Sequence, residues 1–408
     1  MKSFSWLDLV FRKPKIEIDL TQKATKIPPK PHKIEKKRGT VYRFKKKIRE
    51  KSLIFSEPPR KELIYFPKIY KLCNGGKISV LNKGVQIYKF KDVSFLQNSD
   101  FIRLKNNQAF VDKWKLKENI FTQFGDEDLI EYAQDEESCK LRAYKKSKSF
   151  DCVFHMSGCY SRFWSHFLIQ NLHRLNYLKN IKEKKITIIL PKNCDSHILG
   201  LIKFCIKEHN NVSLVFVESE KKIFCKSLYY CSTDSHLGDI GKVCTLFHIQ
   251  TSNKTVKYIC KIGKLIADEI PRSNLPQKIF IGRKGEIRNI VNYKEIWQIF
   301  KSIGFKEIFP HLYSLEKKAS LFKNAKYIVG PVSSGFSNII FSSAQAKVLT
   351  FVNATRHDDM YLTKISQQKK ISLDNIVGSE VNPGQANSNY FIDPKTVLEF
   401  IQEEWGKI

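Results

Sequence analysis

Short runs of β-branched and aromatic residues alternate with segments of helical period, and this alternation constrains the fold more than any other feature. Near the carboxyl terminus, the runs KIFIG, KEIFP, YIVGP and KVLTFV are separated by NYKEIWQIFKSIG, SLEKKASLFKNA and GFSNIIFSSAQ. A similar series (CVFHM, KITIILP, VSLVFV and KSLYYCS) lies roughly between residues 150 and 260. Such alternation predicts parallel sheets covered by helices, so we expect an α/β protein with two Rossmann-like units.

The segments that flank these series predict the domain boundaries. The first sixty or so residues are rich in Lys and Pro and predict an extended basic arm. Turn residues near Asn74 and Asn82, set between alternating apolar and polar residues, predict β-hairpins. The break PRSNLP predicts a linker, and the tail DPKTVLEFIQEEWGKI predicts a capped closing helix. The expected domains are a basic arm (1–60), a hairpin region with the first unit (61–270) and a second unit (271–408).

Charge and cysteine content limit the classes of partner. The chain carries 71 Lys and Arg against 40 Asp and Glu, a formal net charge of +31, which implies an anionic partner such as a nucleotide, an acidic glycan, a membrane face or nucleic acid. No apolar run has bilayer-spanning length and the amino terminus lacks a signal-peptide pattern, so we expect a cytosolic protein. The ten cysteines contain no C-x-x-C pair, which favours reduced thiols over a zinc site.

Two segments of the second unit predict a pyrophosphate site. Arg283 and Lys284 end the strand KIFIG, and Arg288 and Asn292 follow before the next helix. The stretch GPVSSGFSN, residues 330–338, ends a later strand, where a helix start would offer backbone N–H groups. Guanidinium groups and backbone N–H groups together can donate hydrogen bonds to phosphate oxygens. Taken alone, the arginines are more simply explained as solvated side chains, and the glycine-rich stretch as a plain turn. The sequence lacks the glycine motifs of P-loop and dinucleotide-binding proteins.

The helix SRFWSHFLIQNLHRLNYL of the first unit carries the other candidate residues. Its apolar positions follow helical spacing and are expected to pack inward. His166, Gln170, His173 and Tyr177 fall on another stripe, which either faces a cleft or is an ordinary solvated face. Arg162 and Arg174 lie near this stripe and predict a basic wall.

These segments resemble a known family. FWSHFLIQNLHRL resembles the N-Y-Y-H-W-L-L-[DE]-x-L-P-R-L pattern of glycosyltransferase family 61, and LFKNAKYIVGPVSSGFSNIIF follows that family's L-F-x-x-A-x-x-I-V-G-P-H-G-A-G-L-x-N pattern without a gap. The likeness extends from near Leu63 to the carboxyl terminus and leaves out the basic arm. It implies a GT-B fold, with two facing Rossmann-like domains, and sugar transfer from a nucleotide donor to a hydroxyl with inversion. The usual setting is the assembly of capsule or lipopolysaccharide-type surface glycans.

The resemblance also implies roles for individual residues. The first-domain helix contributes His166 together with Arg162, Gln170 and Arg174 on the acceptor side. The residues that the resemblance and the strand-end argument place at the donor are Arg283, Arg288, Asn292, Gly330, Pro331, Ser333, Ser334, Gly335, Ser337 and Asn338.

Several positions depart from the family pattern. Val332 replaces a His, Ser333 and Ser334 replace Gly and Ala, and Gln170 and Thr350 stand where acidic residues are usual. An inverting transferase needs a base, so His166 becomes the candidate, with Asp234 and His236 as runners-up. The D-x-D of GDED, residues 125–128, has metal-site spacing, but we interpret it as an acidic helix start.

The sequence therefore predicts a metal-independent, inverting glycosyltransferase without a cofactor, held peripherally at the cytoplasmic face of an inner membrane by its basic charge. Its partners would be a nucleotide-sugar, a lipid-linked or polysaccharide acceptor and anionic lipid. One alternative is an inactive sugar-nucleotide-binding protein. Another is a nucleic-acid-binding protein, which the few aromatic residues among the arm's basic ones disfavour.

Overall fold

The chain forms two large β-sheets with helices packed on them. The computed structural model describes residues 39–44, 52–66, 68–82, 84–111, 129–132, 138–144, 147–158, 161–218, 221–237, 249–271, 274–283, 285, 287–355, 360–385, 387–406 and 408. The strands are β1 (Gly39–Phe44), β2 (Leu53–Ser56), β3 (Arg60–Phe66), β4 (Lys68–Ile69), β5 (Gly76–Asn82), β6 (Gln86–Leu96), β7 (Ile102–Arg103), β8 (Gln108–Phe110), β9 (Leu129–Tyr132), β10 (Ser138–Arg142), β11 (Ser147–Phe154), β12 (Ile186–Pro191), β13 (Val212–Val217), β14 (Lys222–Cys231), β15 (His236–Leu237), β16 (Ile249–Gln250), β17 (Lys278–Ile281), β18 (Lys306–Ile308), β19 (Tyr327–Pro331), β20 (Lys347–Asn353), β21 (Ser372–Glu380) and β22 (Tyr390–Phe391).

Helices form at the segments of predicted helical period. The acidic stretch interpreted as a helix start instead continues into strand β9 (Leu129–Tyr132), so that interpretation is wrong for these residues. Helix α1 changes type along its length, from an α-helical turn (Trp164–His166) through a π-helical segment (Phe167–Asn171) to a 3₁₀ segment (Leu172–Asn180). The other helices are α2 (Ser196–Ile206), α3 (Asn253–Glu269), α4 (Tyr293–Ser302), a 3₁₀ turn (Pro310–Leu312), α5 (Leu315–Asn324), a 3₁₀ helix (Ser334–Phe341), α6 (Met360–Lys369) and α7 (Pro394–Phe400), which continues as a π-helical segment (Ile401–Trp405). The side chain of Asp393 caps α7 as predicted, accepting from the N–H groups of Lys395 and Thr396.

The first sheet is mixed, in the order β13-β12-β11-β14-β6-β7-β8-β1-β10-β9, with β2 paired to β6. Its parallel part consists of β11 to β14, the four runs predicted for the first unit, and β14 then pairs antiparallel with β6. The second sheet runs β18-β17-β19-β20-β21-β22, with β4 paired to β21, and β17 to β21 are parallel neighbours. The predicted mixed α/β class with parallel strands is confirmed.

Two segments within the predicted basic arm form strands. β1 pairs with β10 and β2 pairs with β6, so both strands belong to the first sheet. The prediction of an extended arm is therefore wrong for these two segments, because the β-branched and aromatic residues of TVYRF and LIF favour strands in spite of the lysines around them. Residues 1–38 and 45–51 lie outside the described residues.

The hairpin predicted around Asn74 is present, and the segment between its strands reaches the second sheet. The hairpin predicted around Asn82 is wrong, because β5 pairs with β3 in a two-stranded sheet while β6 belongs to the first sheet. β3 and β5 pair antiparallel from Arg60↔Asn82 to Phe66↔Gly76. Between them, β4 pairs in parallel with β21, and the Tyr70 hydroxyl donates to Glu403 at 2.6 Å. The hairpin region therefore contacts the carboxyl-terminal helix as well as the first unit.

Helix α3 joins the packing of the two sheets. It is capped by Ser252 and belongs to the predicted first unit (61–270), but it packs against the 3₁₀ helix Ser334–Phe341. A Cβ atom at Gly263 would lie 2.5 Å from the carbonyl oxygen of Ile340, so only glycine allows this approach. The largest buried apolar cluster accordingly contains residues of both sheets.

Candidate functional site

The small residues after β19 allow two strand ends to approach closely. Gly330 has φ +150°, and a Cβ atom on it would overlap with the carbonyl oxygen of Ile281 at the end of β17. Gly335 also lies close to β17, where an added Cβ would be 3.1 Å from the Ile281 side chain. The glycines therefore bring the bend formed by residues 330–335 against the carboxyl end of β17.

This approach places Arg283 beside the bend. β17 and β19 are parallel, with Phe280 opposite Val329, and Arg283 follows three residues after Phe280. The Nη1 atom of Arg283 donates to the carbonyl oxygen of Val332 at 3.3 Å. The guanidinium group is half-buried, so one predicted arginine and the small-residue bend do share one location.

Most backbone N–H groups of the bend already have acceptors. The Val332 N–H donates to Phe351 O, and Ser333 accepts from the Gly335 N–H with its Oγ and from the Phe336 N–H with its carbonyl oxygen. Ser333 is thus the cap of the 3₁₀ helix. The N–H groups of Ser333 and Ser334 are the remaining candidate donors to an anion, and Ser334 is exposed.

Ser337 and Asn338 support the bend from inside. Both are buried, and Asn338 donates from Nδ2 to the carbonyl oxygen of Gly335 at 2.8 Å. The Ser337 hydroxyl bonds the Ser165 hydroxyl at 2.7 Å and lies 3.3 Å from the Tyr361 hydroxyl. Gly330 and Pro331 are buried as well, so these four residues shape the bend without facing solvent.

The other two donor-side candidates lie between β17 and α4. Arg288 is half-buried and adopts φ +59° in the loop after β17. The Asn292 amide is engaged elsewhere: its Nδ2 donates to Ile392 O at 2.8 Å and to Glu295 at 3.0 Å, and its Oδ1 accepts from the Ile392 N–H at 3.1 Å. Asn292 therefore ties α4 to the chain before α7.

His166 and Gln170 form a pair on α1. The Nδ1 atom of His166 donates to Oε1 of Gln170 at 2.9 Å. This bond places the imidazole proton on Nδ1 and makes Nε2 the nitrogen that can accept a proton. The pair follows directly after Ser165, whose hydroxyl bonds Ser337, so α1 brings His166 towards the bend of the second sheet.

The rest of the predicted stripe does not face a cleft. His173 and Tyr177 are buried, and Gln170 is itself only 7% exposed, so His166 is the one half-buried member of the stripe. Tyr177 donates to Glu57 at 2.8 Å, and His173 Nε2 lies 3.8 Å from Asp234 Oδ1. Burial lowers the pKa of His173 to about 4, although the Asp234 charge opposes the shift.

Asp234, a runner-up base, is the centre of a buried ionic cluster that sequence reasoning missed. Its carboxylate accepts from Thr255 at 2.6 Å and from Arg60 at 3.0 Å. Burial raises its pKa, but the charge of His173 and these hydrogen bonds outweigh burial and hold the pKa below the usual range. The other members of the cluster are Glu57, Glu62, Lys254 and Lys364. The side chain of His236 lies outside the described residues.

The two acceptor-side arginines have different environments. Arg174 is only 2% exposed, lies with its guanidinium 5.5 Å from the Tyr230 ring centroid and donates to Ser157 O at 3.4 Å. It stabilises the interior and does not form a cleft wall. Arg162 is exposed, and the central carbon of its guanidinium group lies 5.1 Å from the centroid of the Phe163 ring.

The described part of the chain contains no group of three or more His, Cys, Asp or Glu side chains placed to hold a metal ion. The GDED stretch, residues 125–128, lies outside it. None of the helices formed by the described residues is long and apolar enough to cross a membrane.

The described geometry defines a mixed α/β protein whose candidate site lies at the carboxyl edge of a parallel sheet, where ligands bind in open sheets of this class. Residues 164–349, somewhat less than half of the chain, match the family model described as Glycosyltransferase 61. The matched segment includes His166, Arg283 and the whole bend. It supports the predicted resemblance to that family and, with it, glycosyltransferase activity. No curated protein matches the chain.

Proposed function

We propose that the protein is an inverting glycosyltransferase that moves a sugar from a nucleotide-sugar to a hydroxyl of a surface glycan of the capsule or lipopolysaccharide type. The observation that carries the proposal is the contact between Arg283 and Val332, which places a guanidinium group at the small-residue bend. The family match over the same residues supports it.

The donor diphosphate would lie against Arg283 and the exposed start of the 3₁₀ helix. The guanidinium group would pair with phosphate oxygens, and the N–H groups of Ser333 and Ser334 would supply directional donors. Charge that develops on the leaving diphosphate would meet fixed positive groups, so the mechanism requires no metal ion.

His166 would take the proton of the acceptor hydroxyl. Gln170 holds the imidazole as the tautomer with Nε2 able to accept that proton. Inversion follows from a single displacement, in which the acceptor attacks opposite the diphosphate. Arg162 and Gln170 would lie on the acceptor side of the site.

The proposed setting is a GT-B arrangement of two facing Rossmann-like units at the cytoplasmic face of an inner membrane. The net charge of +31 would favour anionic lipid or a charged, lipid-linked acceptor. Each basic residue near such a surface contributes about 1 kcal/mol.

Calorimetric titration with a panel of nucleoside diphosphates and nucleotide-sugars tests the donor site. Arg283→Ala should weaken binding of the nucleotide that binds the wild type by about tenfold or more, as expected for a lost charged hydrogen bond. Arg43→Ala, on exposed β1, is the matched control. Unchanged affinity in Arg283→Ala would contradict the site.

A transfer assay with the same donor separates catalysis from binding. His166→Ala should abolish transfer while donor affinity stays at the wild-type value. If the wild-type protein binds a nucleotide-sugar but neither transfers nor hydrolyses it, the protein is an inactive sugar-nucleotide-binding protein. Gln170 is the reason for considering this alternative, because it replaces a carboxylate of the family pattern.

A further inference from the structure

Strand β13 (Val212–Val217) forms one edge of the first sheet. It pairs in parallel with β12, its one neighbour among the described strands, from Ile186↔Val212 to Pro191↔Val217. The outer side of such a strand carries main-chain N–H and C=O groups that can pair with a further strand. Natural proteins therefore protect their sheet edges, and the protection can be read from the sequence.

The sequence of β13 lacks the features that protect sheet edges. Proteins protect edges with charged residues, proline, bulges or very short strands. The segment VSLVFV contains neither a charged residue nor a proline, and its pairing with β12 has no register shift. Its apolar side chains are also accessible: Phe216 is 39% exposed, and Val212, Leu214 and Val215 are half-buried. Nothing in β13 itself therefore prevents another strand from pairing with it.

The other end strands of the two large sheets are shorter. At the opposite end of the first sheet, β9 has four residues and contains Glu131. In the second sheet, β18 has three residues, of which Lys306 and Glu307 are charged. Beyond β21, β4 and β22 have two residues each. Among these described end strands, β13 is the longest and offers the most unprotected main chain.

The hydrogen bonds to β12 show which main-chain groups of β13 point outward. The Ile186 N–H donates to Asn211 O at 2.8 Å, and the Lys192 N–H donates to Val217 O at 3.0 Å. Main-chain groups of successive residues point to opposite sides of a strand. The odd-numbered residues of β13 therefore bond to β12, and the even-numbered residues direct their N–H and C=O groups outward.

Three even-numbered residues form the outer side of β13, and they differ in what they offer. Leu214 and Phe216 each offer an N–H donor and a C=O acceptor. The Val212 N–H already donates to His209 O at 3.0 Å, so Val212 offers its carbonyl oxygen alone. The outer side thus has two donors, which lie towards the carboxyl end of the strand.

This arrangement fits a second copy of the same strand. In an antiparallel pair centred on Leu214, each Leu214 would bond its own counterpart in both directions. The Phe216 N–H of each copy would donate to Val212 O of the other, so every outward donor finds an acceptor. Just beyond the strand, Glu218 would face the uncharged Asn210, so no like charges would lie directly opposite each other.

We propose that the protein forms a symmetric homodimer in which two copies of β13 pair antiparallel. The two first sheets would then form one continuous sheet, as in other cases where a strand is added to a free edge. The net charge of +31 on each copy opposes association. Charges more than about 8 Å apart are largely screened at physiological ionic strength, so the dimer should be weaker at low salt.

Sedimentation velocity on the full chain over a dilution series tests the dimer. We expect the wild type to sediment at twice the monomer mass of 47.6 kDa at high concentration and to dissociate on dilution. Raising the salt concentration should strengthen the dimer, because salt screens the repulsion between two positively charged copies. A wild type that stays monomeric over the whole series would overturn the proposal.

Two variants block the edge in different ways. Leu214→Pro removes an outward N–H group and keeps the bonds to β12, whereas Phe216→Lys leaves the main chain unchanged and adds a charge at the edge. Both should be monomeric at concentrations where the wild type is dimeric, with thermal unfolding as the check on folding. Phe216→Lys decides the test if Leu214→Pro does not fold. Leu398→Lys, on α7 and 54% exposed, is the matched control and should remain dimeric.

Hydrogen exchange followed by mass spectrometry locates the interface without a variant. The peptide containing residues 212–217 should exchange more slowly at concentrations where the protein is dimeric, because the amides of Leu214 and Phe216 are then bonded. A dimer that leaves this exchange unchanged, or that both edge variants retain, uses another surface and would overturn the proposal. Nucleotide binding should be the same in the wild type and Phe216→Lys, so the dimer and the donor site are tested separately.

Discussion

Ser165 and Ser337 share a buried hydrogen bond of 2.7 Å between their hydroxyl oxygens, although 172 positions separate them in the sequence. Ser165 directly precedes His166, and Ser337 lies in the 3₁₀ helix that follows the small-residue bend. One hydrogen bond therefore joins the helix of the candidate base to the helix of the candidate donor site. The bond holds α1 next to the 3₁₀ helix Ser334–Phe341.

The first prediction concerns the stability that this bond provides. Ser165→Ala leaves the buried Ser337 hydroxyl with only its 3.3 Å contact to Tyr361. We expect the free energy of unfolding to fall by about 1 to 3 kcal/mol, the cost of a buried polar group that loses a partner. Urea denaturation measures the change, with Ser343→Ala at an exposed position as the control.

The double variant Ser165→Ala/Ser337→Ala tests whether the two hydroxyls act on each other. It should lose less stability than the sum of the single variants, because neither hydroxyl is then left unpaired. Additive losses would mean that the two serines contribute independently.

The second prediction compares Gly330, in the bend, with Gly285, two residues after Arg283. Gly330→Ala places a methyl group on the carbonyl oxygen of Ile281, so β17 and β19 must separate. We expect this variant to lose stability and nucleotide binding together. Gly285→Ala is the matched control because nothing lies within 4 Å of its added Cβ.

Thermal unfolding and calorimetry measure both quantities. A Gly330→Ala protein with wild-type stability and nucleotide affinity would show that the bend can shift without consequence, and the close approach would then have no functional meaning.

The sequence predicted the second sheet well because its elements are short and locally determined. KIFIG, YIVGP and KVLTFV are strands as expected, and the predicted helix start near Ser334 is confirmed. Strands joined through helices lie parallel, so the carboxyl ends of β17 and β19 meet at the same edge of the sheet. The contact between Arg283 and the bend could therefore also be predicted from the sequence.

Other features depend on contacts that local sequence does not encode. Helical spacing grouped His173 with His166, but only packing shows that His173 is enclosed beside Asp234. Asn292 was expected at the donor, yet its amide bonds Ile392, a residue 100 positions away.

The third prediction follows from the buried imidazole of His173. Its folded-state pKa of about 4 lies below the ordinary value of about 6.5, so between these pH values the unfolded chain binds more protons. Stability should therefore rise with pH through this window and fall by about 3 kcal/mol as the pH is lowered across it. Urea denaturation at several pH values measures the slope.

His173→Gln removes the titrating group and should flatten the dependence in that window. His311→Gln, at an exposed position, is the control and should keep the wild-type slope. An unchanged slope in His173→Gln would assign the acid sensitivity to carboxylates of the ionic cluster.

The last prediction uses Gln170 to test the base. Gln170→Glu places a carboxylate where Oε1 now accepts from His166 Nδ1 at 2.9 Å. The negative charge stabilises the imidazolium form, so the imidazole becomes available as a base only at higher pH. The acidic limb of the kcat/KM profile should move up by about one pH unit.

Gln170→Met provides the opposite case, since it removes the acceptor and adds no charge. It should lower kcat at every pH by releasing the imidazole from its tautomer, while donor affinity measured by calorimetry stays at the wild-type value. The two variants should therefore differ: Gln170→Glu moves the acidic limb of the kcat/KM profile, and Gln170→Met lowers its plateau. A purely structural role of residue 170 would not make the pH profile depend on the charge of its side chain. Identical profiles for the two variants would therefore place the base elsewhere.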